Sequence, residues 1–153
     1  MKIFCVSLGC DKNLVDTERM LGLLNRDGYE FTDDETMADV ILINTCCFIG
    51  DAKEESINTI LEMAQLKTTG NVKALIVAGC LAERYRQEIF TEIPEVDAIL
   101  GTASWDAISD VLKQVLAGKE KEERFKDRDT SPAALAPRML TTGGHYAFLK
   151  IAE

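Results

Sequence analysis

The hydrophobic residues of this chain fall into short uninterrupted runs, each followed by a stretch in which apolar residues recur every three or four positions. The longest runs cover residues 2–8, 39–44 and 72–78, and shorter ones cover residues 29–32 and 96–100. Apolar runs rich in β-branched residues are typical of strands buried on both faces, and the stretches between them have helical spacing. The alternation predicts an α/β protein: a mainly parallel sheet with helices on both faces, in a Rossmann- or flavodoxin-like three-layer arrangement.

Polar residues between the runs indicate where the helices begin. Asp11 or Asn13 is expected to cap the first helix, and residues 51–54 resemble a capping box at the start of the second. A third helix is predicted at residues 82–92, where a proline follows, and Ser104 is expected to cap the last helix.

The pattern changes near residue 119 and divides the chain into three parts. Residues 1–118 are expected to form one domain. Residues 119–143 are rich in charge and contain prolines, which favours a loosely packed linker. A new strand pattern follows at residues 146–151, so residues 144–153 are expected to begin a further domain, and the chain is expected to be a fragment of a larger enzyme.

Composition excludes some classes of function. The chain has 153 residues, 46% of them hydrophobic and 28% charged, which is ordinary for a globular protein. The formal net charge of −9 argues against strong nucleic-acid binding, which needs clustered basic residues. No leader pattern is visible and no apolar run approaches the ~18 residues of a membrane span. We therefore expect a cytoplasmic location without membrane association.

Three of the five cysteines stand directly after the three long apolar runs. Because the carboxyl ends of parallel strands lie along one edge of a sheet, Cys10, Cys46 and Cys80 are expected to converge there. Thiolates are soft ligands that suit zinc, copper(I) and iron–sulfur clusters. A closed zinc site requires a fourth ligand, and the single histidine, His145, lies far along the chain. An iron–sulfur cluster held by three thiolates would keep one iron free for chemistry.

The remaining cysteines favour a structural interpretation. Cys5 lies in the middle of the first predicted strand and is expected to be a core residue. Cys47 is expected to point away from Cys46, since adjacent residues of an extended chain face opposite sides. If all five cysteines are core residues, the chain is instead a cluster-free α/β ligand-binding or interaction domain. The pattern leaves this alternative open.

Three motifs around the cysteines resemble a known family. They are Ser-Leu-Gly-Cys-Asp-Lys-Asn-Leu-Val-Asp-Thr-Glu at residues 7–18, Ile-Asn-Thr-Cys at residues 43–46 and Val-Ala-Gly-Cys-Leu-Ala-Glu-Arg at residues 77–84. Together they resemble the amino-terminal domain of the methylthiotransferases, which are radical S-adenosylmethionine enzymes, and the resemblance runs along the whole chain. The first motif is closer to the RimO branch, which modifies an aspartate of small-subunit ribosomal protein number twelve. The tRNA-modifying MiaB branch usually carries Gly-Cys-Gln-Met-Asn at this turn.

The resemblance implies that Cys10, Cys46 and Cys80 hold an auxiliary 4Fe-4S cluster. It also implies a radical S-adenosylmethionine domain with a second 4Fe-4S cluster on a Cys-x3-Cys-x2-Cys motif, which these 153 residues do not contain. The chain is therefore expected to be the auxiliary-cluster domain, not catalytically complete by itself. Its expected partners are that radical domain and a ribosomal protein that receives a methylthio group on the β-carbon of an aspartate. A tRNA substrate is the alternative within the family.

Overall fold

The computed structural model describes residues 1–127, 129 and 136–151, and these contain one parallel sheet of six strands. The spatial order is β2-β1-β3-β4-β5-β6, and every neighbouring pair is parallel. The strands are β1 Lys2–Ser7, β2 Glu30–Phe31, β3 Val40–Thr45, β4 Ala74–Gly79, β5 Ala98–Leu100 and β6 Glu122–Arg124. The predicted α/β class and parallel sheet are confirmed.

Helices cover both faces of the sheet, as predicted. They are α1 Asp11–Arg26, α2 Gly50–Thr69, α3 Cys80–Arg84, α4 Arg86–Glu92 and α5 Ile108–Leu116, with 3-10 turns at Glu35–Met37 and Thr102–Ala107. On one face Met20 of α1 and Val111 of α5 belong to one apolar cluster, and on the other Ile60 of α2 and Leu81 of α3 belong to a second. The helix predicted at residues 82–92 is divided at Tyr85 into α3 and α4. None of the helices in the described residues is long and apolar enough to cross a membrane.

The strand order reverses between β1 and β3. After β1 the chain adds β2 on one side, then returns past β1 to form β3 on the other side. Every residue of β3 and of β4 is buried, which explains their continuous apolar sequence. A reversal of this kind opens a crevice at the carboxyl edge of a parallel sheet, and ligands bind in such crevices.

The predicted helix caps are wrong. Cys10 is the N-cap of α1 and makes no side-chain capping bond, and α2 begins after Ile49 without one. Asn13 instead points its amide at carbonyl groups of the strand ends, and Ser104 lies inside a 3-10 turn, where its hydroxyl accepts a bond from the backbone of Lys126. The side chains of Asn13 and Ser104 therefore form hydrogen bonds with backbone groups of other parts of the chain instead of capping helices.

The expectation of loose packing after residue 118 is also wrong at the start of that segment. Strand β6 lies within residues 119–143 and extends the sheet, with Ala98 opposite Glu122 and Leu100 opposite Arg124. Glu122 is buried, and its carboxylate pairs with Lys119 and, at 2.8 Å, with Arg124. Lys119 and Arg124 neutralise the charge of Glu122, which explains why this charged sequence can pack at the edge of the sheet. Residues 128 and 130–135 of the predicted linker lie outside the described residues, and the division into domains stays a prediction.

Residues 136–151, here called the strap, run back along α1. The strand predicted at residues 146–151 is absent from these described positions. The backbone N–H of Met139 donates to the Glu18 carbonyl at 2.9 Å, and the Glu18 carboxylate accepts bonds from Arg138 and Thr141. A Cβ at Gly22 would lie 2.3 Å from the Pro137 carbonyl oxygen. The absence of a side chain at this position of α1 therefore allows the strap backbone to pass close to the helix.

Candidate metal centre

The carboxyl edge of the sheet brings together the three cysteines that follow the long strands. Cys10 follows β1 and precedes α1, Cys46 comes directly after β3, and Cys80 opens α3 directly after β4. All three line one cavity of about 590 Å³. The cavity lies where the strand order reverses, since β1 and β3 are the strands on either side of that point.

The rest of the cavity wall is partly apolar and partly charged. The further lining residues are Gly9, Lys12, Asn13, Asp16, Phe48, Ile49, Ala52, Thr102 and Lys150. Phe48 is 91% exposed and stands at the wall without a covering side chain. The strap contributes through Lys150, so a segment distant in sequence forms part of this cavity.

Glycines allow the cysteine turns to approach each other closely. Gly9 has φ +90°, and a Cβ there would lie 2.4 Å from the Cβ of Cys46. Gly79 has φ +97°, and a Cβ there would lie 2.3 Å from the Asn44 side-chain oxygen. Since both conformations are left-handed and both spaces are filled, a side chain at either position would force the turns apart.

The three thiols differ in burial. Cys46 is buried, Cys80 is half-buried and Cys10 is exposed. Burial raises the pKa of Cys80 to about 11; negative charge on Cys47, Cys46 and Cys10 adds to this, and Lys150 opposes it. Deprotonated thiols gathered here would repel each other, so a cation is needed to hold them together as thiolates.

The three thiols that line the cavity are soft donors. Within the part of the chain that the structure describes, no group of three or more His, Cys, Asp or Glu side chains is placed to hold one metal ion. A cluster of several metal atoms is larger than one ion and does not need its ligands to meet at a point. Three thiols around a cavity are the ligand type that iron–sulfur clusters use.

The other two cysteines and the histidine occupy different surroundings. Cys5 lies in β1, is half-buried and packs against an apolar cluster, and burial raises the pKa of its thiol to about 12. Cys47 is half-buried against the opposite cluster and does not line the cavity, although its charge would act on Cys80. His145 is exposed in the strap and is not among the lining residues.

Sequence reasoning missed one residue that holds the backbone of Cys46. The Ser56 hydroxyl accepts a bond from the Cys46 N–H at 3.0 Å and donates one to the Cys46 carbonyl at 3.0 Å. Ser56 is fully buried, one turn before Ile60 and on the same face of α2. A small polar residue on the apolar stripe of a helix was the available signal, because such a residue needs a buried partner.

A sequence model for a family described as uncharacterized protein family UPF0004 matches residues 2–101. The chain belongs to this family. The UPF0004 match extends from β1 through β5 and contains all three cysteines that line the cavity.

Individual relatives extend the similarity to the whole chain. A protein of Lachnoclostridium phytofermentans is 63% identical over 153 residues, covering all of this chain and 34% of that protein. Relatives from Solibacter usitatus and Symbiobacterium thermophilum are 50% and 48% identical, with 32% and 31% of their lengths covered. All three are named ribosomal protein uS12 methylthiotransferase RimO. The chain thus spans about a third of the length of these curated relatives.

Proposed function

We propose that this chain is the auxiliary-cluster domain of a methylthiotransferase that adds a methylthio group to the β-carbon of an aspartate in ribosomal protein uS12. Cys10, Cys46 and Cys80 are the proposed ligands of a 4Fe-4S cluster. The observation that carries the proposal is that three thiols from three strand ends line one cavity. The names of the relatives, which match over the whole chain, support the ribosomal protein over a tRNA as substrate.

The residues of the cavity suit such a group. A cluster held by Cys10, Cys46 and Cys80 would supply an iron available to an exogenous sulfur atom. Phe48, Ile49 and Ala52 form an apolar part of the wall that would limit the access of water. The nearby Lys150 ammonium would offset part of the negative charge of three thiolates.

The proposed activity requires parts beyond this chain. S-adenosylmethionine and a second 4Fe-4S cluster would bind to a further domain, and the cavity would face that domain and the substrate. The proposed partners are therefore a radical S-adenosylmethionine domain and uS12, in the cytoplasm. The acidic composition supports a protein substrate over strong nucleic-acid binding by this domain.

Reconstitution with iron and sulfide under anaerobic conditions tests the proposal. The wild-type chain should gain one cluster, seen as a brown protein with a sulfur-to-iron absorption band. Cys10→Ala, Cys46→Ala and Cys80→Ala should each lose most of the bound iron, because each removes one of three ligands. Cys5→Ala is the matched control and should keep the cluster. Full cluster content in all three ligand variants would refute the assignment.

A further inference from the structure

The side chain of Asn13 forms hydrogen bonds close to all three cysteines. Its amide nitrogen donates to the Leu8 carbonyl at 3.0 Å and to the Thr45 carbonyl at 2.9 Å. Its amide oxygen faces the Cys80 sulfur at 3.9 Å, where the thiol donates to it. Leu8 lies two residues before Cys10, and Thr45 directly precedes Cys46. One buried amide therefore links the ends of β1, β3 and β4.

The orientation of this amide follows from its partners. Both carbonyls require a donor, and the amide has its two N–H groups on a single nitrogen, so its oxygen must face Cys80. The backbone carbonyl of Asn13 is also held, since it accepts bonds from Asn44 Nδ2 at 2.8 Å and from Thr17 Oγ1 at 2.9 Å. Asn44 in turn donates to Thr17 Oγ1 at 3.0 Å. The network leaves the Asn13 side chain little freedom to rotate.

The two carbonyls lie where the β-ladder ends. The last backbone bond between β1 and β3 in this region is donated by Leu8 N to Asn44 O, at 2.9 Å. Beyond it the chains turn toward Cys10 and Cys46, and no strand bond fixes their separation. A donor shared between the Leu8 and Thr45 carbonyls replaces the missing ladder bond.

We propose that Asn13 is a positioning residue that sets the cysteine turns around the cavity before any metal binds. It would act through the backbone before Cys10 and Cys46 and through its contact with Cys80, without binding iron itself. The inference rests on the proposed function, because it assigns Asn13 to the same three-thiol site. A merely structural role would satisfy two carbonyls and affect stability, without a specific effect on metal affinity or on the spacing of the thiols.

Cadmium binding by the metal-free chain separates these two roles. Cadmium is a soft divalent ion that binds to thiolates without added sulfide, and its binding is followed by the ultraviolet sulfur-to-metal charge-transfer band. Asn13→Asp keeps the size of the side chain but removes the two amide donors, and Asn13→Ala removes all three contacts. Each should bind cadmium about 10-fold more weakly than wild type, the loss typical of removing a group that orients metal ligands. Asn25→Asp, the same substitution at an exposed position of α1, should bind as wild type does.

A second control separates the site from general stability. Ser104→Ala deletes a side-chain hydrogen bond of another buried residue, the partly buried bond accepted from Lys126 N at 2.8 Å, and should lower stability without changing cadmium affinity. The metal-free variants are also treated with a bifunctional thiol reagent, with Cys5 and Cys47 changed to serine in every protein. Cross-linking within the trio should be slower in the Asn13 variants than in wild type, while the first alkylation of the exposed Cys10 thiol is unchanged.

The outcomes divide clearly. Asn13 variants that bind cadmium and cross-link as wild type does overturn this inference and leave the proposed function intact. Wild-type protein that takes up neither cadmium nor an iron–sulfur cluster overturns the proposed function. Should Asn13→Asp and Asn13→Ala not fold, Asn13→Gln decides: it keeps both donors on a longer side chain, and unchanged affinity and cross-linking in that variant would count against positioning.

Discussion

The side chains of Lys150 and Asp16 form a buried ion pair, with Nζ 2.7 Å from the carboxylate oxygen across 134 positions of sequence. Only 6% of the Lys150 side chain and 8% of the Asp16 side chain are exposed. Both residues line the cavity that holds the three cysteines. The pair therefore attaches the end of the strap directly to the wall of the proposed cluster site.

Loss of the lysine charge should release the strap. In Lys150→Met, the buried Asp16 carboxylate would lose the compensating charge of Lys150, and undocking the strap lets water reach that carboxylate. We expect amide hydrogen exchange at residues 138–150 to accelerate at least about tenfold, which corresponds to about 1.4 kcal/mol of lost docking free energy. Exchange in β3 and β4 should stay slow.

Lys73→Met provides the matched control. Lys73 pairs with Asp39 at 2.8 Å, but its side chain is 56% exposed, and exposed pairs contribute about 1 kcal/mol or less. In Lys73→Met the backbone amides of the strap should exchange hydrogen at the wild-type rate. Equal strap protection in Lys150→Met and wild type would show that the ion pair does not hold the segment.

Docking of the strap should also depend on the ionisation of Glu18. This carboxylate is fully buried, and it accepts bonds from Thr141 N at 2.7 Å, from the Thr141 hydroxyl at 2.9 Å and from Arg138 Nε at 2.8 Å. Burial alone would raise its pKa, but the bonds from Thr141 and Arg138 outweigh burial and lower it. The folded pKa thus lies below the unfolded value of about 4.3, so docking is fully stabilised above that pH and weakens as pH falls through the lowered value.

The amide resonance of Thr141 is a direct probe of that titration. Its chemical shift should change with a midpoint below about pH 4.3, together with loss of strap contacts. Glu18→Gln should dock more weakly and lose the pH dependence, because an amide cannot ionise. A midpoint above the ordinary glutamate range would contradict the assigned role.

The central strands of the sheet could be predicted from the sequence because each one is a continuous apolar run of neighbouring residues. Val40–Thr45 and Ala74–Gly79 are uninterrupted apolar runs, and only burial on both faces accounts for them. Strand β6 could not be predicted, because its residues Glu122, Glu123 and Arg124 are all charged. Its stability comes from pairing with β5, which is a tertiary contact, and from the ion pairs of Glu122 with Lys119 and Arg124, which no strand pattern reveals.

The same distinction applies to the candidate site. The convergence of the cysteines follows from their place after parallel strands, which a single sequence reveals. The hydrogen-bond partners of Asn13 and Ser56 could not be predicted, since each side chain bonds to backbone groups of a different element. Asn13 was one of two residues, with Asp11, predicted to cap α1, because aspartate and asparagine are preferred at helix N-caps. Its bond to Thr45 spans 32 positions and is invisible to local rules.

Two glycines with nearly the same φ angle allow a matched comparison. Gly9 has φ +90° and Gly28 has φ +88°, but a Cβ at Gly28 would meet nothing within 4 Å, whereas one at Gly9 would lie 2.4 Å from the Cβ of Cys46. Gly28→Ala should cost only the left-handed strain, about 1–2 kcal/mol. Gly9→Ala should cost about 1–3 kcal/mol more because it also forces the cysteine turns apart.

Urea denaturation of the metal-free proteins gives both free energies of unfolding. Reconstitution adds a second criterion, since only Gly9→Ala should reduce the iron bound per chain. Equal stability losses in the two variants would mean that the Gly9 turn relaxes without moving Cys46, and close approach would then not explain this glycine.

Ser56 provides a test of how Cys46 is held. Ser56→Ala leaves the Cys46 N–H and carbonyl without the hydroxyl that bonds to both, at a site closed to water. An unsatisfied buried polar group costs about 1–3 kcal/mol, so the free energy of unfolding should fall by that amount. The backbone at Cys46 should also loosen, and its buried thiol should react faster with a small alkylating reagent under native conditions. Ser104→Ala, which removes a partly buried bond far from Cys46 in sequence, should lose stability without that change in reactivity. If both variants alkylate Cys46 at the wild-type rate, strand β3 alone fixes the cysteine, and the Ser56 bonds serve only to satisfy its backbone.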